Sequence, residues 1–229
     1  MNENDRIRRV YAAYRASSSA QQRWSQENAG NRAIHRERSA AVRALLGPPL
    51  AGRRVLEIGC GGGGVLRDLQ AFGAASLVGV DLLPDRLTAA AATAPRAAIA
   101  AADATALPFG DASFDIALLF TVISSVQDRG VAAHIAAEAL RVLAPGGQIV
   151  WYDLRYGNPR NPHVRGISRR EIAALFPGTA VRLAPITLLP PLARRLGPLT
   201  SLLYPALALL PPLRAHLIGS VTKSLAPAR

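Results

Sequence analysis

The spacing of hydrophobic residues divides this chain into two parts. Up to about residue 46 the sequence is polar and rich in arginine, with apolar residues at helical spacing. This pattern predicts two helices separated by a less regular stretch over residues 17–31. Gly47-Pro48-Pro49 should end the second helix, because proline lacks an amide donor and disfavours helix in the preceding residue. We therefore expect a helical extension over residues 1–50.

From residue 51 onward, short apolar runs alternate with helical stretches, as is typical of a parallel α/β sheet. The core is expected over residues 51–188, with a last strand and tail over residues 215–229. A turn is predicted at Pro145-Gly146-Gly147. The predicted strands are residues 54–58, 77–80, 98–101, 116–120, 148–152, 180–188 and 216–222. The predicted helices are residues 65–72, 85–94 and 131–143, and one that is capped by Ser168 and ends at Phe176.

Residues 189–214 form an apolar, proline-rich insertion before the last strand. Residues 196–213 contain no charged side chain. An uncharged segment of this length is long enough to be considered as a membrane span. The prolines argue against a span, because each one breaks intrahelical hydrogen bonding that hydrocarbon demands. We predict a helical cap or lid over the sheet. Peripheral contact with a membrane surface is the alternative interpretation.

Composition narrows the class of protein. With 229 residues and 50% hydrophobic content, the chain can bury one substantial core. The single cysteine, Cys60, has no partner for an internal disulfide, and the N-terminal residues lack the apolar core of a secretory signal. We expect a cytoplasmic protein, with membrane association as the alternative if the apolar segment contacts a bilayer.

The net charge of +12 raises the question of a nucleic-acid partner. Lys223 is the only lysine, and the 26 arginines accompany an excess of alanine, which is typical of a coding bias. No aromatic ribonucleoprotein motif, long arginine tract or metal-ligand spacing is present. The sequence therefore favours neither nucleic acid nor a metal, and it does not predict an oligomeric state.

A glycine-rich turn is the first candidate site. The run VLEIGCGGGG places a predicted strand directly before five glycines and a predicted helix. Glycine leaves the backbone open to a ligand and allows positive φ angles, and amides at a helix N-terminus favour a carboxylate or phosphate. Alone, the run could equally be a tight connection without a ligand.

Two carboxylates at the following strand ends strengthen the case. Asp81 ends the second predicted strand, where an acid can accept hydrogen bonds from both hydroxyls of a ribose. That geometry also suits a dinucleotide. Asp103 and Ala104, in ADATALPF, follow the third strand and are placed to contact an adenine amino group and ring edge.

With these motifs in order, the sequence resembles the class I S-adenosylmethionine-dependent methyltransferases, in particular the small bacterial type 11 and ubiquinone/menaquinone-type members. The matching stretches are VLEIGCGGGG, GVDLLPDRL, ADATALPFGDASFDIAL and RVLAPGGQIVWYDL. The resemblance implies a Rossmann-like fold and S-adenosylmethionine as cofactor. It places Glu57 and Gly59 near the methionine amino group and Gly61 at the carboxylate and sulfonium end. It further implies that Asp81 holds the ribose, Leu82 and Ala104 contact adenine, Asp103 accepts from its amino group, and Phe120 lies beside the transferred methyl.

The residue that would act as a general base is less clear. Many similar methyltransferases carry a histidine shortly after the fourth strand, whereas this chain has FTVISSVQD. The remaining candidates follow the fifth strand: Tyr152 and Asp153 at its end, and His163 in the next loop. We predict these three as catalytic residues, and Cys60 as a small turn residue.

Several functions agree with these observations. The favoured one is O-methylation of a small-molecule, sugar or lipid-linked biosynthetic intermediate. An RNA or protein methyltransferase would suit the charge, but the chain lacks the Asn/Asp-Pro-Pro-aromatic motif of amino-methylating relatives. A non-catalytic binding protein that retains the fold is the alternative from another class. An NAD-dependent oxidoreductase fits the glycine spacing less well.

Overall fold

The N-terminal part of the chain is helical. A computed structural model describes residues 2–23, 25–47, 50–74 and 76–225. Its first helices are α1 (Glu3–Ala16), α2 (Ser18–Arg23) and α3 (Ala29–Leu46). Asn28 begins α3 by accepting hydrogen bonds from two first-turn amides. Three helices thus stand where two were predicted, because α2 occupies part of the stretch expected to be irregular. Gly47 ends α3, and the predicted stop at Pro48 and Pro49 lies outside the described residues.

The core is one sheet of seven strands in the order β3-β2-β1-β4-β5-β7-β6. Strands β1 to β5 pair in parallel, and β7 runs antiparallel to both of its neighbours. The predicted seven-stranded, mostly parallel α/β fold is confirmed. The strands are β1 (Arg54–Ile58), β2 (Ser76–Asp81), β3 (Ala98–Ala101), β4 (Phe114–Phe120), β5 (Leu143–Leu154), β6 (Ala180–Leu188) and β7 (Arg214–Thr222). The helices between them are α4 (Gly64–Ala71), α5 (Pro84–Thr93), α6 (Arg129–Arg141) and α7 (Arg169–Leu175).

The predicted turn at Pro145-Gly146-Gly147 is wrong. These residues lie inside β5, which begins at Leu143. Leu143 pairs with Phe114, and the next pair joins Gln148 to Ile116, so β5 contains an irregular bulge. Gly146 has a φ of 74°, which allows the backbone to bulge without leaving the sheet.

The central strands are buried on both faces, as expected for a sheet covered by helices. Along β1, Val55 and Leu56 point to opposite faces and both are fully buried. Leu118 and Leu119 do the same along β4. This double burial fixes the strand register, so the residues that follow each strand are brought to one edge of the sheet.

The insertion before β7 forms a cap at the carboxyl edge of the sheet. It contains α8 (Pro190–Arg195) and α9 (Thr200–Ala208) with short 3₁₀ turns at Gly197–Leu199 and Pro211–Leu213. The cap packs on α3: a Cβ on Gly30 would lie 2.1 Å from the Ala193 carbonyl oxygen, so glycine allows α3 and α8 to touch. The Tyr204 hydroxyl of α9 donates to Glu37 Oε2 at 2.7 Å. In the described part of the chain, no helix combines the length and apolar character needed to cross a membrane.

Candidate active site

The carboxyl ends of β1, β2 and β4, together with the residues after β3, surround a cavity of about 310 Å³. Because these strands are parallel, the residues that follow them converge at one edge, where open α/β sheets bind ligands. The cavity is lined by all eight residues expected to contact the cofactor: Glu57, Gly59, Gly61, Asp81, Leu82, Asp103, Ala104 and Phe120. Their individual contacts with a cofactor remain predictions.

The glycine run forms a tight turn with positive φ angles, which favour glycine, at Gly59, Gly61 and Gly63. Gly61 has a φ of 54°, and a Cβ there would lie 3.2 Å from the Arg86 guanidinium. Gly63 has a φ of 78°, and its Cβ would lie 2.9 Å from the Ala90 backbone. Gly63 is also the N-cap of α4 and offers no side-chain cap. The turn therefore brings the backbone and the start of α4 to the cavity without filling it.

Asp81 organises this turn. Its Oδ2 accepts from the Gly61 amide at 2.8 Å, and its Oδ1 accepts from the Leu83 amide at 2.9 Å. Each carboxylate oxygen can accept a second hydrogen bond. The Asp81 carboxylate can thus hold the turn and also bind the ribose diol predicted from the sequence.

Glu57 is a buried carboxyl with an unsatisfied oxygen. The residue is 2% exposed, and Oε2 has no hydrogen-bond partner among the described residues. Burial raises its pKa to about 8; the Arg38 guanidinium opposes this shift and the Asp81 carboxylate adds to it. A buried acceptor without a donor is costly, and the ammonium group of a bound amino acid would supply the missing donor. The cavity therefore fits the methionine end of S-adenosylmethionine.

Asp103 has a partner from the N-terminal extension. Its Oδ2 accepts from Asn4 Nδ2 of α1 at 2.6 Å, while Thr105 donates to Oδ1 through its amide and its hydroxyl. Burial would raise the pKa of Asp103, but these hydrogen bonds outweigh burial and hold the pKa below its usual value. The oxygen predicted to accept from adenine is therefore engaged by an amide NH₂ group of the chain itself.

Helices α1 and α3 contribute cavity residues that were missed from the sequence. Asn4, Ile7 and Tyr11 of α1 and Arg38 of α3 line the cavity. The Arg38 guanidinium lies 6.0 Å from the centre of the Phe120 ring and 5.7 Å from that of Tyr152. These residues precede the recognisable motifs and carry no spacing signal of their own, so only the packing of the helices over the sheet identifies them.

The three predicted catalytic residues do not line the cavity. Asp153 is buried, and its carboxylate accepts from the amides of Ser124 at 3.0 Å and Leu154 at 2.7 Å. Burial raises its pKa to about 6, against the opposing effect of its hydrogen bonds to Ser124. This arrangement supports the segment after β4. The catalytic assignment of Asp153 remains a prediction that this position does not favour.

Tyr152 lies behind residues that line the cavity, with its ring 5.6 Å from that of Phe120, and His163 is not part of the lining either. The Tyr152 hydroxyl lies 2.9 Å from Thr187 Oγ1, and its ring stacks on His216 with centroids 4.6 Å apart. Burial raises the pKa of Tyr152 to about 12. His163 is exposed, with its ring 6.5 Å from that of Tyr14. Neither position supports proton transfer inside the cavity.

Cys60 lines the cavity as part of the glycine turn. Burial raises the pKa of its thiol to about 12, with the Glu57 and Asp81 carboxyl groups acting in the same direction. Because the thiolate is the nucleophilic form, this thiol is poorly suited to covalent catalysis. Its environment agrees with the predicted role as a small turn residue.

The strand order, the glycine turn and the carboxylates at successive strand ends define the Rossmann-like fold of class I methyltransferases. Residues 56–151 match a protein family described as a methyltransferase domain. The matched part of the chain, residues 56–151, is therefore a methyltransferase domain, and its fold is that of the class I S-adenosylmethionine-dependent methyltransferases. S-adenosylmethionine is the cofactor that this family and fold imply.

Similar proteins agree with this classification. A sterol 4-C-methyltransferase of Caenorhabditis elegans is 33% identical over 132 residues, which cover 53% of this chain and 38% of that protein. A phthiotriol/phenolphthiotriol dimycocerosates methyltransferase of Mycobacterium leprae is 34% identical over 139 residues, which cover 55% of this chain and 49% of that protein. The chain thus spans less than half the length of either relative. The fold resembles that of an S-adenosylmethionine-dependent methyltransferase from Mesorhizobium loti, with a TM-score of 0.61 and 20% identity. The match covers 80% of this chain and 96% of that protein.

Proposed function

We propose that this protein transfers a methyl group from S-adenosylmethionine to a lipid or other apolar small molecule. The observation that carries the proposal is the single cavity in which Glu57, the glycine turn, Asp81 and Asp103 converge. S-adenosylmethionine supplies an electrophilic methyl group on a sulfonium. The chain contributes binding and alignment, which by themselves account for a large share of the acceleration of an in-line displacement.

Charges in the cavity suit the amino acid end of this cofactor. The acidic Glu57 and the basic Arg38 are close enough that Arg38 lowers the pKa of Glu57. Within the described residues, the Arg38 guanidinium has ring contacts but no hydrogen bond. An amino acid zwitterion presents an ammonium to Glu57 and a carboxylate to Arg38. We propose that these two residues recognise it together.

The acceptor is proposed from two kinds of support. Both relatives are named for lipid-type acceptors, a sterol and a phthiotriol dimycocerosate. The apolar cap lies at the same edge of the sheet as the cavity. The finer proposal is a hydroxyl acceptor, because Tyr11 and Ser125 present hydroxyls 3.2 Å apart at the cavity that can hydrogen-bond to another hydroxyl.

The proposal is tested with S-adenosylmethionine carrying a radioactive methyl group. The native chain is incubated with a total lipid extract, with total RNA or with total protein, and the label is counted in the organic phase and in acid-precipitable material. We expect enzyme-dependent label in the organic phase, and mass spectrometry of the labelled product distinguishes O- from C-methylation. Label confined to RNA or protein would instead support the alternative acceptors. No cofactor binding by calorimetry, with NAD as the control ligand, would contradict the proposal as a whole.

Replacing Arg38 by methionine should weaken S-adenosylmethionine binding by about 10- to 100-fold, the usual effect of losing a hydrogen bond between charged groups. Decarboxylated S-adenosylmethionine lacks the carboxylate and should bind the variant and the native protein with similar affinity. Arg36→Met is the matched control, since Arg36 is an exposed residue on the same helix. Equal weakening of both ligands in titration calorimetry would show that Arg38 does not contact the carboxylate.

A further inference from the structure

The cap presents apolar side chains to solvent on one stripe of a surface helix. Leu199, Leu202 and Leu209 are 55%, 70% and 76% exposed. They follow each other at helical spacing along α9 and its ends, and so lie on one face. The opposite face, with Thr200, Tyr204 and Ala208, is buried against the rest of the protein. A surface helix normally directs polar residues outward, so α9 has the reverse arrangement.

The exposed apolar residues are concentrated in this region. The described residues include six large hydrophobic side chains that are exposed, and four of them belong to the cap: Leu199, Leu202, Leu209 and Leu210. A fifth, Tyr156, adjoins it, because Arg155 lies over the Tyr156 ring and donates to the Pro211 carbonyl at 2.9 Å. Single exposed leucines are ordinary, whereas a contiguous group indicates an interaction surface. We call these five side chains the leucine patch.

Basic residues exceed acidic ones in the part of the chain that contains the leucine patch. Residues 154–229 contain eleven basic residues and one acidic residue, Glu171, so they carry +10 of the chain's net charge of +12. The excess is due to the scarcity of acidic residues, because this part of the chain holds 10 of the 26 arginines but only one of the 15 acidic residues. Arg195 is exposed at the end of α8, and Arg155 adjoins Tyr156. An apolar stripe bordered by arginine complements an anionic lipid surface, where leucines enter the headgroup boundary and arginines remain at the phosphates.

The leucine patch and the cavity lie at the same edge of the sheet. Residues 189–214 leave the sheet at Leu188 and return at Arg214, which pair with each other at its carboxyl edge. Helix α3 lies between patch and cavity: Glu37 accepts from Tyr204 of α9, and Arg38, the next residue, lines the cavity. A surface that touches the exposed face of α9 is thus separated from the cavity by α9 and α3, about two helix diameters or ~20 Å.

We infer that the leucine patch docks this protein on anionic lipid bilayers, so that the cavity opens next to a membrane-resident acceptor. The inference rests on the proposed function for the nature of the acceptor, but docking itself needs neither cofactor nor turnover. Nucleic acid would use the arginines and gain nothing from the leucines. A second copy of the chain, itself basic in this region, would bring like charges together.

The full chain is sedimented with vesicles of phosphatidylcholine containing 30% phosphatidylglycerol, and with vesicles of phosphatidylcholine alone. We expect strong binding to the anionic vesicles only. Leu202→Glu/Leu209→Glu should lower the partition coefficient at least about tenfold, because leucine insertion and charge attraction are both lost. Leu225→Glu is the matched control, since Leu225 is 81% exposed but lies against Gly146, outside the leucine patch. It should bind vesicles as the native chain does.

Three outcomes would overturn the inference: no sedimentation of the native chain, equal loss in the Leu225 control, or binding unaffected by the double substitution. The last outcome with binding to RNA would identify the basic region as a nucleic-acid surface. A concentration-dependent dimer that the double substitution dissociates, without vesicle binding, would identify an interface between copies. Calorimetry with S-adenosylmethionine separates the two proposals, because failure of the native chain to bind the cofactor refutes the function, whereas failure of the native chain to bind anionic vesicles refutes only the docking. The double variant should bind the cofactor as the native chain does, which shows that it is folded.

Discussion

Asp81→Asn is expected to lower the affinity for S-adenosylmethionine on the order of 10²-fold. The carboxylate accepts from the amides of Gly61 and Leu83 through different oxygens, and each oxygen has a lone pair for a ribose hydroxyl. Asparagine replaces one of the two carboxylate oxygens by an NH₂ group, which is a donor and would face the donor amide of Gly61 or Leu83. Two charge-assisted hydrogen bonds to the ribose, at about 1.5–3 kcal/mol each, account for an effect of this size.

The control for this prediction must separate ribose binding from damage to the turn. Asp85→Asn is the matched variant, because Asp85 is an exposed aspartate on α5. The ligand comparison uses S-adenosylhomocysteine and its 2′-deoxy analogue. The native protein should bind the deoxy ligand more weakly, and Asp81→Asn should bind both ligands alike. If Asp81→Asn still distinguishes them by the native factor in calorimetry, Asp81 does not contact the ribose.

S-adenosylmethionine binding at pH 7 is expected to release about one proton, and Glu57→Gln should abolish this release. Burial raises the pKa of Glu57 to about 8, so the ligand-free protein holds a proton there at pH 7. An ammonium needs the ionised carboxylate as its partner. Affinity should therefore rise up to about tenfold per pH unit as the pH approaches 8, and level off or fall above it as the ligand's amino group itself loses its proton.

The release is measured by calorimetry in buffers with different ionisation enthalpies. Glu57→Gln should bind at least tenfold more weakly at pH 8, since it removes a charge-assisted hydrogen bond. Glu27→Gln, at an exposed position, is the control and should behave as the native protein. Proton release that persists in Glu57→Gln would assign it to another group.

The same shift affects the stability of the ligand-free protein. Between about pH 4.5 and 8 the folded chain binds the Glu57 proton and the unfolded chain does not. The contribution of Glu57 to the free energy of unfolding therefore falls as the pH rises through this window, by about 1.4 kcal/mol per pH unit. Urea unfolding of Glu57→Gln should lack this component of the pH dependence.

The sequence by itself determined the sheet and the cofactor side of the site. Apolar runs such as residues 116–120 are buried on both faces, so their pattern specifies strands, and the parallel arrangement brings the residues after each strand to one edge. Glu57, Asp81 and Asp103 could be recognised because each lies at or within two residues of the end of a strand. Their roles depend on local backbone geometry, which a short motif encodes. The ends of the strands were less well defined by the sequence. Pro145-Gly146-Gly147 was predicted as a turn but forms a bulge within β5, because glycine is typical of both.

Only the tertiary structure decided what surrounds that edge. Asn4 and Arg38 come from helices that precede the motifs. The hydrogen bond of Asn4 to Asp103 and the effect of the Arg38 charge on Glu57 depend on how α1 and α3 pack over the sheet. The sequence predicted a catalytic role for Asp153 at the end of β5. In the structure, its buried carboxylate accepts a hydrogen bond from the Ser124 amide. The exposed face of α9 was equally undetermined, because a uniformly apolar segment has no polar face to show which side is buried. The placement of these side chains depends on packing between elements that are distant in sequence, and a local sequence pattern therefore does not predict it.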